Sequence, residues 1–224
     1  MIENFGALRY EITHIDANHM LLTGCVLLAY FAGTVSPSIL LGKLYGVDVR
    51  NTGSGNAGTT NVLRVIGKKA AVITLAVDIF KGFIVVALAK PFGGGAFALL
   101  CGFAVLCGHI WPLFYDLKGG KGVATALGVI LAFDPKMGLM LLCIALALIA
   151  LTQRVSVGAL VAAAAFPVFM HNMHPPYFVP ALLIALLLWL KHRQNIRRII
   201  RGEEPKLNFR SGAGKKTERE TQAK

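Results

Sequence analysis

The sequence predicts an all-α, polytopic integral membrane protein with seven transmembrane helices, an N-terminus outside and a C-terminus in the cytoplasm. Three observations support this fold class. Apolar residues make up 55% of the 224-residue chain, charged residues make up only 15%, and the mean hydropathy is +0.63. Soluble domains of this length are less apolar. The chain also divides into seven apolar segments, and its basic residues gather on one side of them.

The seven apolar segments are separated by glycine, proline or charged breaks. A bilayer core about 30 Å thick requires about 20 apolar residues per helix. We expect the spans at 20–42, 69–89, 95–114, 122–133, 136–151, 155–171 and 176–190. The fourth segment is too short, because twelve residues rise only about 18 Å. It must be a half-helix, begin inside the preceding loop, or lie where the bilayer is locally thin.

The distribution of lysine and arginine predicts the orientation, since cytoplasmic loops are enriched in both. With the N-terminus outside, nineteen of the 23 basic residues fall on the inner side, three fall on the outer side, and Lys81 lies within a span. Merging 122–151 into one crossing would move the basic tail outside, so seven spans are preferred. The predicted organisation is an extracytoplasmic extension at 1–19, a membrane domain at 20–204, and a basic, disordered cytoplasmic tail at 205–224.

The net charge of +12 lies largely after the last apolar segment. Such a tail suits an anionic membrane surface better than a nucleic-acid groove, so membrane lipids are expected partners and nucleic acid is not. Residues 1–19 lack the basic start and short apolar core of a cleavable signal, which indicates that the first apolar segment is retained.

A glycine-rich stretch between the first two spans has the composition of a phosphate cradle. Glycines can let backbone amides converge on one oxyanion, and an arginine adds charged donors. The residues concerned are Gly53, Ser54, Gly55, Asn56, Gly58, Thr59, Thr60, Asn61 and Arg64. The alternative is a flexible loop without a ligand.

The same glycines imitate a dinucleotide-binding fingerprint, with Asp78 at the matching distance. That interpretation is rejected because Asp78 lies in an apolar segment long enough to span lipid, where no βαβ unit fits. Asp78 and Lys81 are opposite charges three residues apart on one helical face. We expect an internal ion pair that orders the bundle, with direct substrate contact as the alternative.

A second stretch embeds lysines in a glycine run at the start of a helix, where free amides and the helix dipole favour an anion. It comprises Lys118, Gly119, Gly120, Lys121, Gly122 and Thr125, preceded by Gly108 and His109. A Walker loop is excluded, because Tyr115 stands where that motif needs glycine and Gly122 stands where it needs Ser or Thr. His109 could act as a general base or as a hydrogen-bond donor to a phosphate. The alternative is a histidine at a helix end that is hydrogen-bonded to the backbone.

A third stretch runs from His192 to Glu204, and its helical spacing places Asn195 and Arg198 on one face. With the predicted orientation, all three polar stretches face the cytoplasm. Independent solvated loops would be spread over both faces of the membrane. This coincidence is the strongest functional signal that the residues give without any resemblance.

No metal or cofactor is expected. The four cysteines form no Cys-x-x-Cys pair, and His171 and His174 lack neighbouring ligands. A phosphotransferase of the phosphatidyl type would need clustered aspartates around a metal, whereas the inner loops contain only Asp48 and Asp116.

Taken in order, the three stretches closely resemble the three motifs of the PlsY family, the membrane-embedded glycerol-3-phosphate acyltransferases that use acyl phosphate. The matching residues are Gly53-Ser54-Gly55-Asn56, Gly58, Thr60-Asn61, Arg64, Gly108-His109, Pro112, Lys118 to Gly122, Ala124-Thr125, Asn195-Ile196, Arg198, Gly202 and Glu204. The resemblance covers roughly residues 20–204, and Thr59 and Trp111 depart from it.

The resemblance implies a seven-helix fold with an inward-facing site that acylates the 1-hydroxyl of glycerol 3-phosphate and releases lysophosphatidic acid and inorganic phosphate. By motif position, glycerol 3-phosphate would contact Ser54, Arg64, Lys121, His192 and Asn195. Acyl phosphate would contact Gly53, Gly55, Asn56, Gly58, Thr60, Asn61, Lys118, Gly119, Gly120, Gly122 and Thr125. The expected catalytic residues are His109, Lys121 and Asn195, and the expected supporting residues are Asp78, Lys81, Arg198 and Glu204.

We further expect a monomer in the bacterial cytoplasmic membrane, near the enzyme that makes acyl phosphate. Acyl phosphates carry a good leaving group, so positioning two anions and stabilising an oxyanion are the main tasks. No histidine is followed by an aspartate five residues on, as the His-x-x-x-x-Asp acyltransferases require. The hypothesis is that the donor's own phosphate accepts the hydroxyl proton. The rival from another class is an anion transporter.

Overall fold

The computed structural model describes the backbone of residues 3–207 and the side chains of residues 19–207. Within these limits the chain is helical and contains no strand, which agrees with the rejection of a dinucleotide fold. The helices are α1 (Glu3–Thr34), α2 (Pro37–Leu44), α3 (Thr59–Val65), α4 (Lys68–Ile110), α5 (Val123–Phe133), α6 (Pro135–Thr152), α7 (Val155–Met173), α8 (Phe178–Lys191) and α9 (Arg193–Ile200), with 3₁₀ turns at Leu113–Tyr115 and Pro175–Tyr177.

The first apolar segment differs from the uninterrupted helix expected at 20–42. It breaks between α1 and α2, where Pro37 occupies the start of α2. Proline has no N–H, so it begins a helix more easily than it continues one. Lys81 Nζ donates to the carbonyl oxygens of Val35 at 2.8 Å and Gly33 at 3.2 Å, which the break leaves without helical partners. At its other end α1 begins at Glu3, so the boundary expected at residue 19 coincides with no helix end.

Helix α4 is a hairpin of two helices that meet at Gly94, whose φ is 70°. In a straight helix, Val86 and Gly102 would be about 24 Å apart. A Cβ atom built on Gly102 would instead lie 3.3 Å from the Val86 side chain. The two halves therefore run antiparallel and match the spans expected at 69–89 and 95–114.

The turns at one end of the bundle contact one another. Lys90 Nζ donates to the carbonyl oxygen of Phe133 at 2.8 Å, and the rings of Phe133 and Tyr177 lie 5.3 Å apart. Asp134 caps α6 through Met137 N and bonds to His174 Nε2 at 2.7 Å. Gly94, Asp134 and His174 thus mark one end of the molecule, which we name the turn end. The long polar connections lie at the opposite end, the loop end.

Glycines allow the closest helix contacts. A Cβ atom on Gly108 would clash with the carbonyl oxygen of Tyr30 in α1, and one on Gly128 would clash with that of Ile79 in α4. Small residues let membrane helices approach in this way, since lipid supplies little hydrophobic driving force between helices. The α1–α4 and α4–α5 contacts hold the elements that carry the polar loops.

Replacing Gly128 with alanine is expected to destabilise the fold, because the added methyl group meets backbone that cannot turn aside. Overpacking of this kind costs about 1–3 kcal/mol. The measurement is thermal unfolding of the purified protein in detergent. Gly24→Ala is the control, because nothing lies within 4 Å of a Cβ atom at that position. Equal midpoints for the two variants would contradict the close α4–α5 contact.

Several helices have the length and composition of membrane spans. Within residues 3–207, four apolar stretches are long enough to cross a bilayer when both halves of α4 are counted as one, and a fifth is added if α8 and α9, which bend by 61°, count as one span. Helix α5 has only 11 residues, as expected for a segment too short to cross alone. Large apolar side chains such as Leu21, Phe80 and Leu151 are exposed. The described chain is an all-α integral membrane protein.

Candidate active site

The first polar stretch forms a loop that folds around Asn61. Gly53 and Gly55 have φ angles of 66° and 69°, a region that glycine occupies readily. The buried Asn61 amide accepts from Ser54 N at 2.8 Å and donates to the carbonyl oxygens of Val49 at 2.8 Å and Thr52 at 3.0 Å. These bonds engage both ends of the amide. Asn61, which is expected to contact acyl phosphate, shapes this loop through these bonds.

The same loop is tied to the helices on both sides. Ser38 Oγ donates to the carbonyl oxygen of Ala57 at 3.0 Å, which fixes the loop against α2. Gly58 precedes α3, and its carbonyl oxygen accepts the helical bond from Val62 N. Ser54 and Gly55 remain exposed, whereas Arg64 is half-buried in the last turn of α3. The exposed part of the loop therefore presents the Ser54 side chain.

The second polar stretch folds back onto the end of α4. Gly119 N and Gly120 N donate to the carbonyl oxygens of Ile110 and His109, both at 3.2 Å. Gly122, with a φ of 87°, starts α5. The Thr125 side chain is fully buried, with Cγ2 facing Gly82. Thr125, which is expected to contact acyl phosphate, packs between α4 and α5, and its Oγ1 has no hydrogen-bond partner among the described residues.

The first and second loops meet at His109. A Cβ atom on Gly120 would clash with His109 Nε2 and would lie 2.9 Å from the carbonyl oxygen of Ala57. Arg50 supplies a second link, because its Nη1 donates to the carbonyl oxygen of Tyr115 and to Asp116 Oδ2, both at 3.2 Å. The loops expected to bind anions are therefore neighbours.

Asn195 joins the third stretch to the second. Lys121 Nζ donates to Asn195 Oδ1 at 2.5 Å, and Asn195 Nδ2 donates to Glu204 Oε1 at 2.6 Å. Arg198 Nε donates to Glu204 Oε2 at 2.7 Å. Asn195 and Arg198 thus share the helical face predicted for them. An ionised carboxylate only accepts hydrogen bonds, so Glu204 fixes the orientation of the Asn195 amide and turns its oxygen toward Lys121.

Two supporting residues were missed by the sequence analysis. Ser156 Oγ donates to Glu204 Oε1 at 2.7 Å, and Arg154 Nε donates to the Glu204 carbonyl oxygen at 3.0 Å. Leu207 N donates to the Gln153 carbonyl oxygen at 2.6 Å, so the segment after α9 packs on the α6–α7 turn. A lone serine at the start of an apolar helix was the one available signal. The rest of the expected tail, residues 208–224, lies outside the described part.

Burial and neighbouring charges change the pKa values of two residues at this junction. Burial, together with the positive charges of Arg198 and Arg64, lowers the pKa of Lys121 to about 8, although the Glu204 carboxylate opposes them. Burial lowers the pKa of His192 to about 4. His192 Nδ1 lies 2.8 Å from the Leu188 carbonyl oxygen and must donate to it. The imidazole is therefore neutral near pH 7, and its Nε2 can accept a hydrogen bond.

Asp78, Lys81 and His109 form a buried cluster beneath the second loop. Lys81 Nζ lies 2.8 Å from Asp78 Oδ1, which confirms the ion pair expected inside the bundle. His109 Nδ1 lies 2.8 Å from Lys81 Nζ and 3.4 Å from Asp78 Oδ1. The cluster connects the α1–α2 break to the second glycine loop, so it supports the loops from below.

The arrangement suits phosphorylated ligands. Arg64 and Arg198 are close enough to Lys121 to lower its pKa, and the Glu204 carboxylate opposes this effect. Lys121 contacts the Asn195 amide, and the two glycine loops meet beside His109. A site that gathers cations and neutral donors can bind phosphate dianions and stabilise an oxyanion.

Comparison with known proteins gives the family. The glycerol-3-phosphate acyltransferase family model matches residues 23–202. The glycerol-3-phosphate acyltransferase of Thermoanaerobacter pseudethanolicus is 41% identical over 197 residues, which cover 86% of this chain and 96% of that protein. The one from Trichlorobacter lovleyi is 43% identical over 181 residues, which cover 80% of this chain and 93% of that protein.

Solved structures agree with these matches. A crystal structure of PlsY, an integral membrane glycerol 3-phosphate acyltransferase in its glycerol 3-phosphate form, superposes with a TM-score of 0.81 and 36% identity, covering 84% of this chain and 96% of that one. The lysophosphatidic acid form gives a TM-score of 0.77. The chain therefore belongs to the glycerol-3-phosphate acyltransferase family.

Proposed function

We propose that the protein transfers the acyl group of acyl phosphate to the 1-hydroxyl of glycerol 3-phosphate, giving lysophosphatidic acid and inorganic phosphate for bacterial phospholipid synthesis. The observation that carries this proposal is the hydrogen bond from Lys121 to Asn195, which joins two of the family motifs beside Arg64. The similar PlsY structures contain glycerol 3-phosphate in one form and lysophosphatidic acid in the other.

In this reaction the hydroxyl oxygen attacks the acyl carbon and the bond from that carbon to the phosphate oxygen breaks. The proton of the hydroxyl passes to the departing phosphate, so no protein base is needed and the products are an ester and inorganic phosphate. Phosphate oxygens with a pKa near the working pH can perform this role. The protein then has to hold two anions side by side, which costs less when the cations are already in place.

The phosphate of glycerol 3-phosphate would lie against Lys121 and Arg64, with the Ser54 hydroxyl and Asn195 as further partners. His192 Nε2, the unprotonated nitrogen of a neutral ring, would accept a hydrogen bond from a glycerol hydroxyl. Acyl phosphate would lie on the glycine loops, within reach of Asn56, Thr60 and Lys118. Four residues are assigned to support. The polar side-chain atoms of Asn61, Ser156 and Glu204 make hydrogen bonds within the protein. The Thr125 side chain is fully buried.

We also propose seven membrane crossings with the loop end in the cytoplasm: α1, both halves of α4, and α5 to α8. The short α5 supports a site below the membrane surface. Its 11 residues rise roughly 16 Å, about half of the bilayer core, so Lys121 at its start would lie within the depth of the inner leaflet. An acyl chain could then remain in lipid while its phosphate reaches the glycine loops.

Single-cysteine labelling tests the orientation. In a variant without native cysteines, Lys136→Cys at the turn end is expected to react with an impermeant maleimide on intact cells. Lys118→Cys at the loop end should react only after permeabilisation, and both residues are exposed. Labelling of residue 118 on intact cells would overturn the inward-facing site.

Product formation tests the activity. Purified protein in nanodiscs is incubated with palmitoyl phosphate and radiolabelled glycerol 3-phosphate, with acyl-CoA and acyl carrier protein donors in parallel. We expect labelled lysophosphatidic acid and an equal amount of inorganic phosphate from acyl phosphate alone. Formation of lysophosphatidic acid from acyl-CoA at the same rate would contradict the assignment of acyl phosphate as the donor. Uptake of label into proteoliposomes without covalent product would favour the transporter instead.

A further inference from the structure

The cluster of Asp78, Lys81 and His109 determines more than the position of two helices. Lys81 Nζ has four neighbours at hydrogen-bonding distance: Asp78 Oδ1 and His109 Nδ1 at 2.8 Å, and the carbonyl oxygens of Val35 at 2.8 Å and Gly33 at 3.2 Å. The two carbonyls and the carboxylate can only accept. The remaining neighbour is a ring nitrogen, which can donate or accept according to its tautomer.

The charge of Lys81 decides that tautomer. A carboxylate 2.8 Å away and two carbonyl oxygens all favour the ammonium form over a neutral amine, whose lone pair would face them. An ammonium group has three donors and no acceptor. Within the described part of the chain, Asp78 Oδ1 makes no hydrogen bond despite its short distance from Lys81, so the three N–H groups of Lys81 go to the two carbonyl oxygens and to His109 Nδ1. His109 Nδ1 therefore accepts from Lys81 and carries no proton. The neutral His109 ring then has its proton on Nε2.

His109 Nε2 faces the place where the two glycine loops meet. A Cβ atom on Gly120 would clash with this nitrogen and would lie 2.9 Å from the Ala57 carbonyl oxygen. Ala57 belongs to the first loop and Gly120 to the second. Among the residues described here, His109 Nε2 makes no hydrogen bond within the protein. An N–H held at this junction has the geometry of a donor for an anion.

We propose that Lys81, held by Asp78, locks His109 in the Nε2–H tautomer, so that His109 donates a hydrogen bond to an oxygen of acyl phosphate at the loop junction and is not a general base. Asp78 and Lys81 are then positioning residues that act through His109. This inference rests on the proposed function for the identity of the ligand, but the tautomer itself does not depend on it.

The arrangement explains why a membrane helix retains two charges. Intramembrane charges are expensive and are kept where they pair or serve function. An ion pair alone would need no histidine, and a histidine bonded to a carbonyl oxygen would have its proton on the wrong nitrogen. The second partner of a functional histidine commonly fixes its tautomer in this manner.

Nitrogen NMR on the intact protein tests the tautomer directly. The protein is labelled with ¹⁵N-histidine in nanodiscs, and the His109 signals are assigned from their absence in His109→Gln. We expect the chemical-shift pattern of an Nε2–H imidazole at neutral pH, without any substrate. Loss of that pattern in Lys81→Met, with Asp78→Asn as a second variant, supports the lock. An Nδ1–H pattern in the unmodified protein would overturn it.

Kinetics separate a donor from a base. Glutamine places an N–H close to the position of His109 Nε2 but cannot take up a proton at neutral pH. With palmitoyl phosphate, His109→Ala is expected to lower kcat/KM about 30-fold. This is less than the loss of a lone oxyanion donor, because Asn56, Thr60 and Lys118 also donate to acyl phosphate in the proposed site. His109→Gln should recover most of that loss. It should also keep the acidic limb of the pH profile, the fall of kcat/KM at low pH, because in the proposed reaction that fall comes from protonation of the donor phosphate.

The outcomes distinguish the two proposals. If His109→Gln is as impaired as His109→Ala and its acidic limb disappears, His109 is a base and the inference falls while the transferase function stands. If the unmodified protein makes no lysophosphatidic acid but shows the Nε2–H pattern, the proposed function falls and the tautomer lock stands.

Discussion

Replacing Lys121 with methionine is expected to lower kcat/KM for glycerol 3-phosphate about 150-fold, because a hydrogen bond between charged groups, here the ammonium and the phosphate, contributes up to about 3 kcal/mol. Lys121 is bonded to Asn195 at 2.5 Å and is the cation shared by the second and third motifs. Methionine preserves the length and apolar volume of the side chain but removes the charge. The measurement is initial-rate kinetics with palmitoyl phosphate at saturation.

The matched control is Lys69→Met, an exposed lysine in the first turn of α4 that lies outside the proposed site. The Lys69→Met variant should retain full activity because Lys69 lies outside the proposed site. It is a matched control because it removes the same positive charge. Equal losses in the two variants would mean that only the overall surface potential matters. Full activity in Lys121→Met would remove Lys121 from the binding site.

The pH dependence gives an independent check on Lys121. Its pKa is lowered to about 8, so in the free enzyme the ammonium form is lost as the pH rises through that value. The profile of kcat/KM, which reports the free enzyme, should therefore fall above about pH 8. A bound phosphate favours the charged form and should move the same limb of kcat to higher pH. Lys121→Arg, with its permanently charged guanidinium, should lack the alkaline limb in whatever activity it retains.

Replacing Glu204 with alanine is expected to lower kcat about 100-fold and to destabilise the protein by about 2 kcal/mol, since hydrogen bonds to a charged group contribute about 1.5–3 kcal/mol. The carboxylate accepts from Asn195, Ser156 and Arg198. Without the carboxylate the Asn195 amide can flip. Its Nδ2 would then face the Lys121 ammonium, and two hydrogen-bond donors would oppose each other.

The conservative variant and a neighbour make this result specific. Glu204→Gln keeps an oxygen for Asn195 and Ser156 while Arg198 turns to solvent, so its activity should lie between those of Glu204→Ala and the unmodified protein. Glu203→Ala removes an exposed glutamate one residue away and should change neither activity nor stability. Equal activity in Glu204→Ala and Glu203→Ala would contradict the role of the network.

Acid stability should also depend on Glu204. Burial alone would raise its pKa, but hydrogen bonds from Ser156, Arg198 and Asn195 outweigh burial and lower the pKa below the ordinary value of 4.5. A carboxyl whose folded pKa is depressed stabilises the fold above its unfolded pKa and loses that contribution as the pH falls through the folded value. The unmodified protein should therefore lose thermal stability below about pH 4.5, and Glu204→Gln should lose less.

Local patterns in the sequence were sufficient to predict most of the helices and to name residues that the structure brings together. Apolar runs interrupted by glycine and proline gave the segments that became both halves of α4 and helices α5 to α8, because lipid demands internally bonded backbone in each span. The cations and glycines of the site lie in short motifs. Lys121 and Asn195 could therefore be named before any distance between them was known.

Other features required the tertiary structure. The roles of Asn61, Thr125 and Ser156 depend on what each side chain contacts, and their residue types alone did not distinguish a ligand contact from support. The break between α1 and α2 was missed although Pro37, which lies between Ser36 and Ser38, gave a local signal for it. The carbonyl oxygens exposed at this break accept hydrogen bonds from Lys81, which is 46 residues away from Val35 along the chain.

The sequence by itself determined which parts of this protein meet lipid and which chemical groups are available to an anion, because both properties belong to short segments. Only the tertiary structure decided which of those groups meet one another. Glu204 reaches Ser156 across 48 residues, and Lys81 reaches His109 across 28. Pairings over such separations depend on how glycine-lined helices pack, and no local pattern of residues encodes that packing.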